Sequence, residues 1–113
     1  MDYISRDEFL RQSDKVQREF KEYFDCETML FYSNAQLIYG EFNDILINTP
    51  ALTEGPLRKF IEDKLKRKVQ NIWSDNSYCI SVDIKGQQWW RKTNETDLLQ
   101  DYWTVACEIA KEM

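Results

Sequence analysis

The chain has 113 residues, 42% of them apolar and 31% charged, a balance that belongs to a folded domain rather than a disordered or fibrous one. Its formal net charge of −5 argues against general affinity for nucleic acid or anionic membranes, since both need a dominant basic field. Histidine is absent, which removes Ser-His and Cys-His relays, histidine-bearing zinc sites and the commonest general base together.

Ser5 with Glu8 has the spacing of a capping box, and Ile4 is placed to staple onto Phe9. Phe9, Val16, Phe20 and Tyr23 or Phe24 recur at helical spacing, opposed by a mixed-sign face that includes Arg6, Asp7, Arg11, Asp14, Lys15, Arg18, Glu19 and Lys21. The spacing predicts one helix to about residue 24. Residues 29–33 and 36–39 then read as two strands turning at Asn34-Ala35, with Gly40 breaking the pattern. Ile45-Leu46-Ile47 is a third apolar run. Periodicity leaves a helix over part of 28–47 open, whereas β-branched and aromatic content favours strands.

The clearest element covers residues 53–69. Leu57, Phe60, Ile61, Leu65 and Val69 make one apolar stripe, Thr53 is placed as the N-cap, and Pro56 lies in the first turn. Glu54/Arg58, Glu62/Lys66 and Asp63/Arg67 are acid-before-base pairs at i,i+4, and Lys66, Arg67 and Lys68 suit the negative end of the helix dipole. A hairpin follows over 69–73 and 77–84, turning at Ser74-Asp75-Asn76. Alternation places Tyr78, Ile80, Val82 and Ile84 on one face and Cys79, Ser81, Asp83 and Lys85 on the other, solvated one. Lys85-Gly86-Gln87 makes a second turn before a short strand, Gln88-Trp89-Trp90-Arg91. The last helix starts at Asn94 or Thr96, with Leu98, Tyr102, Val105, Ile109 and Met113 as its stripe, widened by Leu99, Trp103, Ala106 and Ala110. Such a broad face is either deeply packed or shared with a second subunit, so the chain is a monomer or a homodimer.

Helix, strands, helix, strands, helix: the pattern defines a single α+β domain over residues 1–113, an antiparallel sheet packed with three helices, burying roughly 65% of its unfolded surface. Cys26, Cys79 and Cys107 show no CxxC spacing, and no apolar leader follows Met1. A reducing cytoplasm and three structural, buried thiols are therefore expected. In that compartment the sequon Asn94-Glu95-Thr96 is irrelevant. No run approaches the length of a membrane span. Gly40, Gly55 and Gly86 are too scattered for a phosphate-cradling loop, and no cofactor or metal site is expected.

One enzymatic pattern has to be weighed. Asp75 with Asp83-Ile84-Lys85 resembles the acid-plus-D-x-K arrangement of metal-dependent PD-(D/E)xK nucleases, in which two carboxylates hold Mg²⁺. A solvated strand face explains Asp83 and Lys85 more simply. The oddest local feature is Trp89-Trp90-Arg91-Lys92, where adjacent tryptophans point to opposite faces of a strand. With Lys66, Arg67 and Lys68 it forms the candidate partner-binding set, suited to a protein hot spot or to base stacking.

Charge is unevenly spread. Residues 1–57 carry five basic and eleven acidic side chains, net −6, while residues 58–68 carry six and two, net +4. Carboxylates at Asp7, Asp14, Glu22, Asp25, Glu27, Glu41 and Asp44 are solvated faces in the plain reading and phosphate-backbone mimics in the sharper one. The sequence thus suggests a small acidic, non-enzymatic protein-binding module that inhibits or modulates a partner, with nucleic-acid-binding proteins among the candidate partners. Small inhibitors of phages and mobile elements, such as anti-CRISPR proteins, share this profile by composition alone. The alternatives are a binder of single-stranded nucleic acid or nucleotide through Trp89 and Trp90, and a Mg²⁺-dependent nuclease.

Overall fold

Two serines divide the first helical stretch. The Ser5 hydroxyl accepts the Glu8 N–H at 3.2 Å and opens α1 (Arg6–Leu10). The Ser13 hydroxyl accepts the Val16 N–H at 3.3 Å and opens α2 (Asp14–Tyr23). The single helix expected here is therefore two, because Ser13 satisfies a donor of a new first turn instead of continuing the old one. Gln17 fixes the break, its Nε2 donating to the carbonyls of Leu10 (3.2 Å) and Gln12 (2.8 Å). The computed structural model describes residues 3–34, 36–42, 48–74, 77–84, 87–92 and 97–112. At residues 71–72, 74, 77–79, 82–84 and 87–92 it describes the backbone alone.

β1 (Glu27–Ser33), β2 (Gln36–Phe42) and β3 (Thr49–Pro50) form an antiparallel sheet in the order β2-β1-β3. The hairpin register runs without a bulge from Ser33↔Gln36 to Glu27↔Phe42. Asn34 turns it with φ 52°, a left-handed conformation that asparagine tolerates. Ala35, the other expected turn residue, and the run Ile45-Leu46-Ile47 lie outside the described residues. Gly40 does not break the strand. It pairs with Met29, and β2 continues to Phe42.

α3 (Glu54–Leu65) is shorter than its apolar stripe suggests. Thr53 holds the N-cap position in extended conformation, but its side chain makes no capping bond. Lys66 turns left-handed at φ 61°, and the N–H groups of Lys66 and Arg67 both return to the Glu62 carbonyl, a Schellman-type stop. Val69 is still buried, as the first residue of β4 (Val69–Ser74) rather than the last of a helix. The Glu62 carboxylate spans this junction. It accepts the Val69 N–H at 2.9 Å and lies 3.5 Å from Arg58 Nε and 3.9 Å from Lys68 Nζ. The acid-before-base pairs expected along α3 give way to these contacts, since Lys66 and Arg67 have left the helix and Arg58 reaches forward to Glu62.

β4, β5 (Ser77–Ile84) and β6 (Gln87–Lys92) form a second antiparallel sheet, a meander in chain order. The strands thus divide into two three-stranded sheets within an α+β architecture. Ile80 and Ser81 are both buried. Adjacent strand residues point to opposite faces, so both sides of the sheet are covered there and the solvated face expected for Ser81 does not hold. Asp97 caps α4 (Leu98–Glu112), its Oδ2 accepting the Gln100 N–H at 3.1 Å. The expected starts Asn94 and Thr96, and Met113 at the other end, lie outside the described residues. α4 packs on α2, α3 and β5; Leu99, Tyr102, Trp103, Val105, Ala106 and Ile109 are buried on it, and so is Asp101.

One cluster of buried side chains draws on all four helices and on β1, β2, β4 and β5, with Phe9, Phe20, Phe60 and Trp103 at its centre. Among the described residues no helix is long and apolar enough to cross a membrane. Phe60 and Ile61 are fully buried, so truncating either to Ala should cost about 2–5 kcal/mol in urea denaturation, the sum of lost transfer energy and the cavity left behind. Gly40→Ala should act in the opposite direction. A Cβ there would meet the Phe31 ring at 3.8 Å, an ordinary contact, so the smaller entropy of the unfolded chain should stabilise the protein by about 0.4–1 kcal/mol.

Candidate protein-binding face

Pairing in the first sheet assigns its two faces. Met29 and Phe31 are buried, so they and their cross-strand partners Gly40 and Ile38 point toward the core. Leu30 pairs with Tyr39 and Tyr32 with Leu37, which puts these four side chains together on the outer face. Tyr3 joins them. Its ring meets the Tyr32 ring edge-on at 6.1 Å, and the Ile4 N–H beside it is tied to the Leu52 carbonyl at 2.7 Å.

This face is open. Tyr39 is 71% exposed, the highest value among the large apolar side chains whose burial is described, and Leu37 (39%) and Tyr3 (37%) stand beside it. Ile38 is exposed as well, at the margin of the core-facing side. An apolar strand exposed in this way is costly to solubility, and a contiguous patch rich in tyrosine marks an interaction surface. The surroundings are acidic. Between Glu22 and Leu57 the chain has no Lys or Arg but carries Glu22, Asp25, Glu27, Glu41, Asp44 and Glu54. Of the described carboxylates on this sheet, Glu27 is paired with Lys59 at 3.5 Å, while Glu41 is exposed beside Tyr39. The Tyr32 hydroxyl is raised above its ordinary pKa, by burial first and then by its neighbours Tyr3 and Glu8.

The residues singled out from sequence fall elsewhere. Trp89, Trp90, Arg91 and Lys92 occupy β6, where the backbone register pairs them with Val82, Ser81, Ile80 and Cys79; their side chains lie outside the described residues. Val69 pairs with Val82, which pairs with Trp89, so the chain following Lys66, Arg67 and Lys68 runs two strands away from β6, roughly 10 Å between backbones. Those three cations are exposed, and they are partly engaged within the chain: Lys68 approaches Glu62, and Arg67 Nη1 donates to the Lys66 carbonyl at 2.8 Å. Trp73 on β4, 55% exposed, is the aromatic of this sheet whose exposure is described. Asp75 and Lys85 lie outside the described residues, as does the Asp83 side chain.

Cysteine placement corrects one expectation. Cys107 is buried, and burial pushes its thiol up to about 12. Cys26 is exposed in a left-handed turn at φ 67° between α2 and β1, its N–H bonded to the Phe42 carbonyl. The charge of Asp25, with smaller contributions from burial and Glu41, holds its thiol above the ordinary range, which makes it a weak nucleophile at neutral pH. The Cys79 side chain lies outside the described residues.

No known protein family, curated protein or solved structure matches the chain. The cation-free interval marks the stretch that holds Tyr39 but not its outward face, since alternating apolar residues in a strand signal a buried one. Iodoacetamide labelling mapped by peptide checks the thiols. Cys26 should react in the folded protein and Cys107 only on unfolding. Asp25→Asn should move the Cys26 rate profile to lower pH, because the neutral side chain removes the repulsion that disfavours the thiolate.

Proposed function

We propose that this protein is a non-catalytic module that binds another protein through the outer face of the first sheet, and inhibits or modulates that partner. The observation that carries the reading is Tyr39, standing 71% exposed in an apolar strand with Leu37, Leu30, Tyr32 and Tyr3 around it. Large, stiff tyrosine rings gain contact area at little entropic cost, which is why they serve as anchors at interfaces. The cation-free interval from Glu22 to Leu57 supports a partner with a basic surface, and the basic clefts of nucleic-acid-binding proteins fit that description. Charge also weighs against single-stranded nucleic acid at this face, because β1, β2 and β3 carry no Lys or Arg to neutralise phosphates. The kinship of composition with small mobile-element inhibitors motivates the inhibitory role and nothing finer.

Affinity capture from native lysate, with mass spectrometry, tests the proposal when wild-type protein is run beside Tyr39→Ser and Leu37→Ser. A protein recovered with the wild type should be lost from both variants, and titration of that protein should show a loss of about 2 kcal/mol or more for Tyr39→Ser. Partner recovery unchanged by either variant, or tight binding of a single-stranded oligonucleotide abolished by Lys66→Ala with Arg67→Ala, would remove this face from the function.

A further inference from the structure

The edge of a sheet is a row of unpaired N–H and C=O groups, and natural proteins blunt exposed edges with proline, inserted charges, bulges or brevity. β2 has almost none of these. It runs for seven residues in unbroken register with β1, contains no proline, and carries a single charge, Glu41, near its end. β3 takes the far side of β1, so among the described residues no strand pairs with the outer edge of β2. Gln36, Leu37, Ile38 and Tyr39 are all exposed along it. Leu37 and Tyr39 stand on one face of the sheet and Ile38 on the other, so a strand laid on this edge would meet apolar side chains on both sides.

Resting on the protein-binding reading above, we infer that the β2 edge takes an extended, cationic segment of the partner as a fourth strand. Charge selects this occupant over a second copy of the chain. An antiparallel β2–β2 pair centred on Tyr39 would set Glu41 of each copy opposite Leu37 of the other and bring no cation to either carboxylate, since the chain has no Lys or Arg between Glu22 and Leu57. Lys59, a cation beside this sheet, is already paired with Glu27. A segment alternating Lys or Arg with β-branched residues completes the main-chain ladder, sets its β-branched side chains beside Ile38, and sets its cations on the face of Glu41 with their aliphatic stems over Leu37 and Tyr39.

The test uses the whole chain with short synthetic peptides: valine alternating with lysine, valine alternating with glutamate, and the lysine peptide N-methylated on either alternate set of backbone nitrogens. Calorimetry should show the lysine peptide binding at least about tenfold more tightly than the glutamate peptide and than one of the two methylated forms, which keep the charge but cannot complete the ladder. Amide exchange at Leu37, Tyr39 or Glu41 should slow on binding, and Glu41→Lys should narrow the preference for lysine over glutamate. Equal binding of all methylated and unmethylated forms, preference for glutamate, absence of peptide binding, or a dimer in sedimentation with β2 amides already protected would each overturn edge addition. If these fail while Tyr39→Ser still loses a captured partner, the face binds protein without extending the sheet; if both fail, the binding reading falls too.

Discussion

The fold depends on one phenylalanine. The Phe20 ring, on α2, lies 4.6 Å from Phe60 of α3, stacks on Trp103 of α4 at 5.3 Å, and meets Phe9 of α1 at 6.2 Å. Every helix therefore reaches the centre of the molecule through an aromatic ring packed on this side chain. Rings in such tilted and offset arrangements gain about 0.5–1.5 kcal/mol per pair beyond the area they bury. The break between α1 and α2 follows from the same demand, since a straight helix through Arg11 would carry Phe9 and Phe20 along one axis instead of folding Phe9 back toward Trp103.

The two sheets stand in different relations to this centre. The second is covered on both faces where Ile80 and Ser81 lie, and it is joined to α3 by the Glu62 carboxylate, which ties the Val69 N–H to the end of the helix. The first turns Met29, Phe31 and Phe42 inward and leaves the opposite side to solvent. On the function proposed above, stability and recognition are carried by opposite faces of one short hairpin, which allows Tyr39 to change without disturbing Phe31.

Periodicity revealed most of the architecture because most apolar residues here serve the core. Leu57, Phe60 and Ile61, the β4–β5–β6 meander and the α4 stripe from Leu99 to Ala110 are all where their spacing placed them. The boundaries were harder to read, for physical reasons. Ser13 competes with a helix interior only through its side chain, and Lys66 adopts a left-handed conformation for which lysine has no preference. Val69 satisfied a helical stripe and a strand equally well. The outer face was hidden by its own composition: Leu37 and Tyr39 look like core residues until the register with β1 shows that Met29 and Phe31 already fill that side.

The segregation of charge along the chain acts before any contact is made. The stretch of chain that forms the first sheet carries carboxylates and no Lys or Arg, while net positive charge is gathered on α3 and its exit into β4. On the function proposed above, such a molecule experiences a torque as well as an attraction in the field of a cationic partner, and turns its Tyr39 face forward while still roughly a Debye length, about 8 Å, away. Encounters then begin in nearly productive orientations. Salt should accordingly slow association far more than it hastens dissociation, leaving the lifetime of the bound state to the tyrosines.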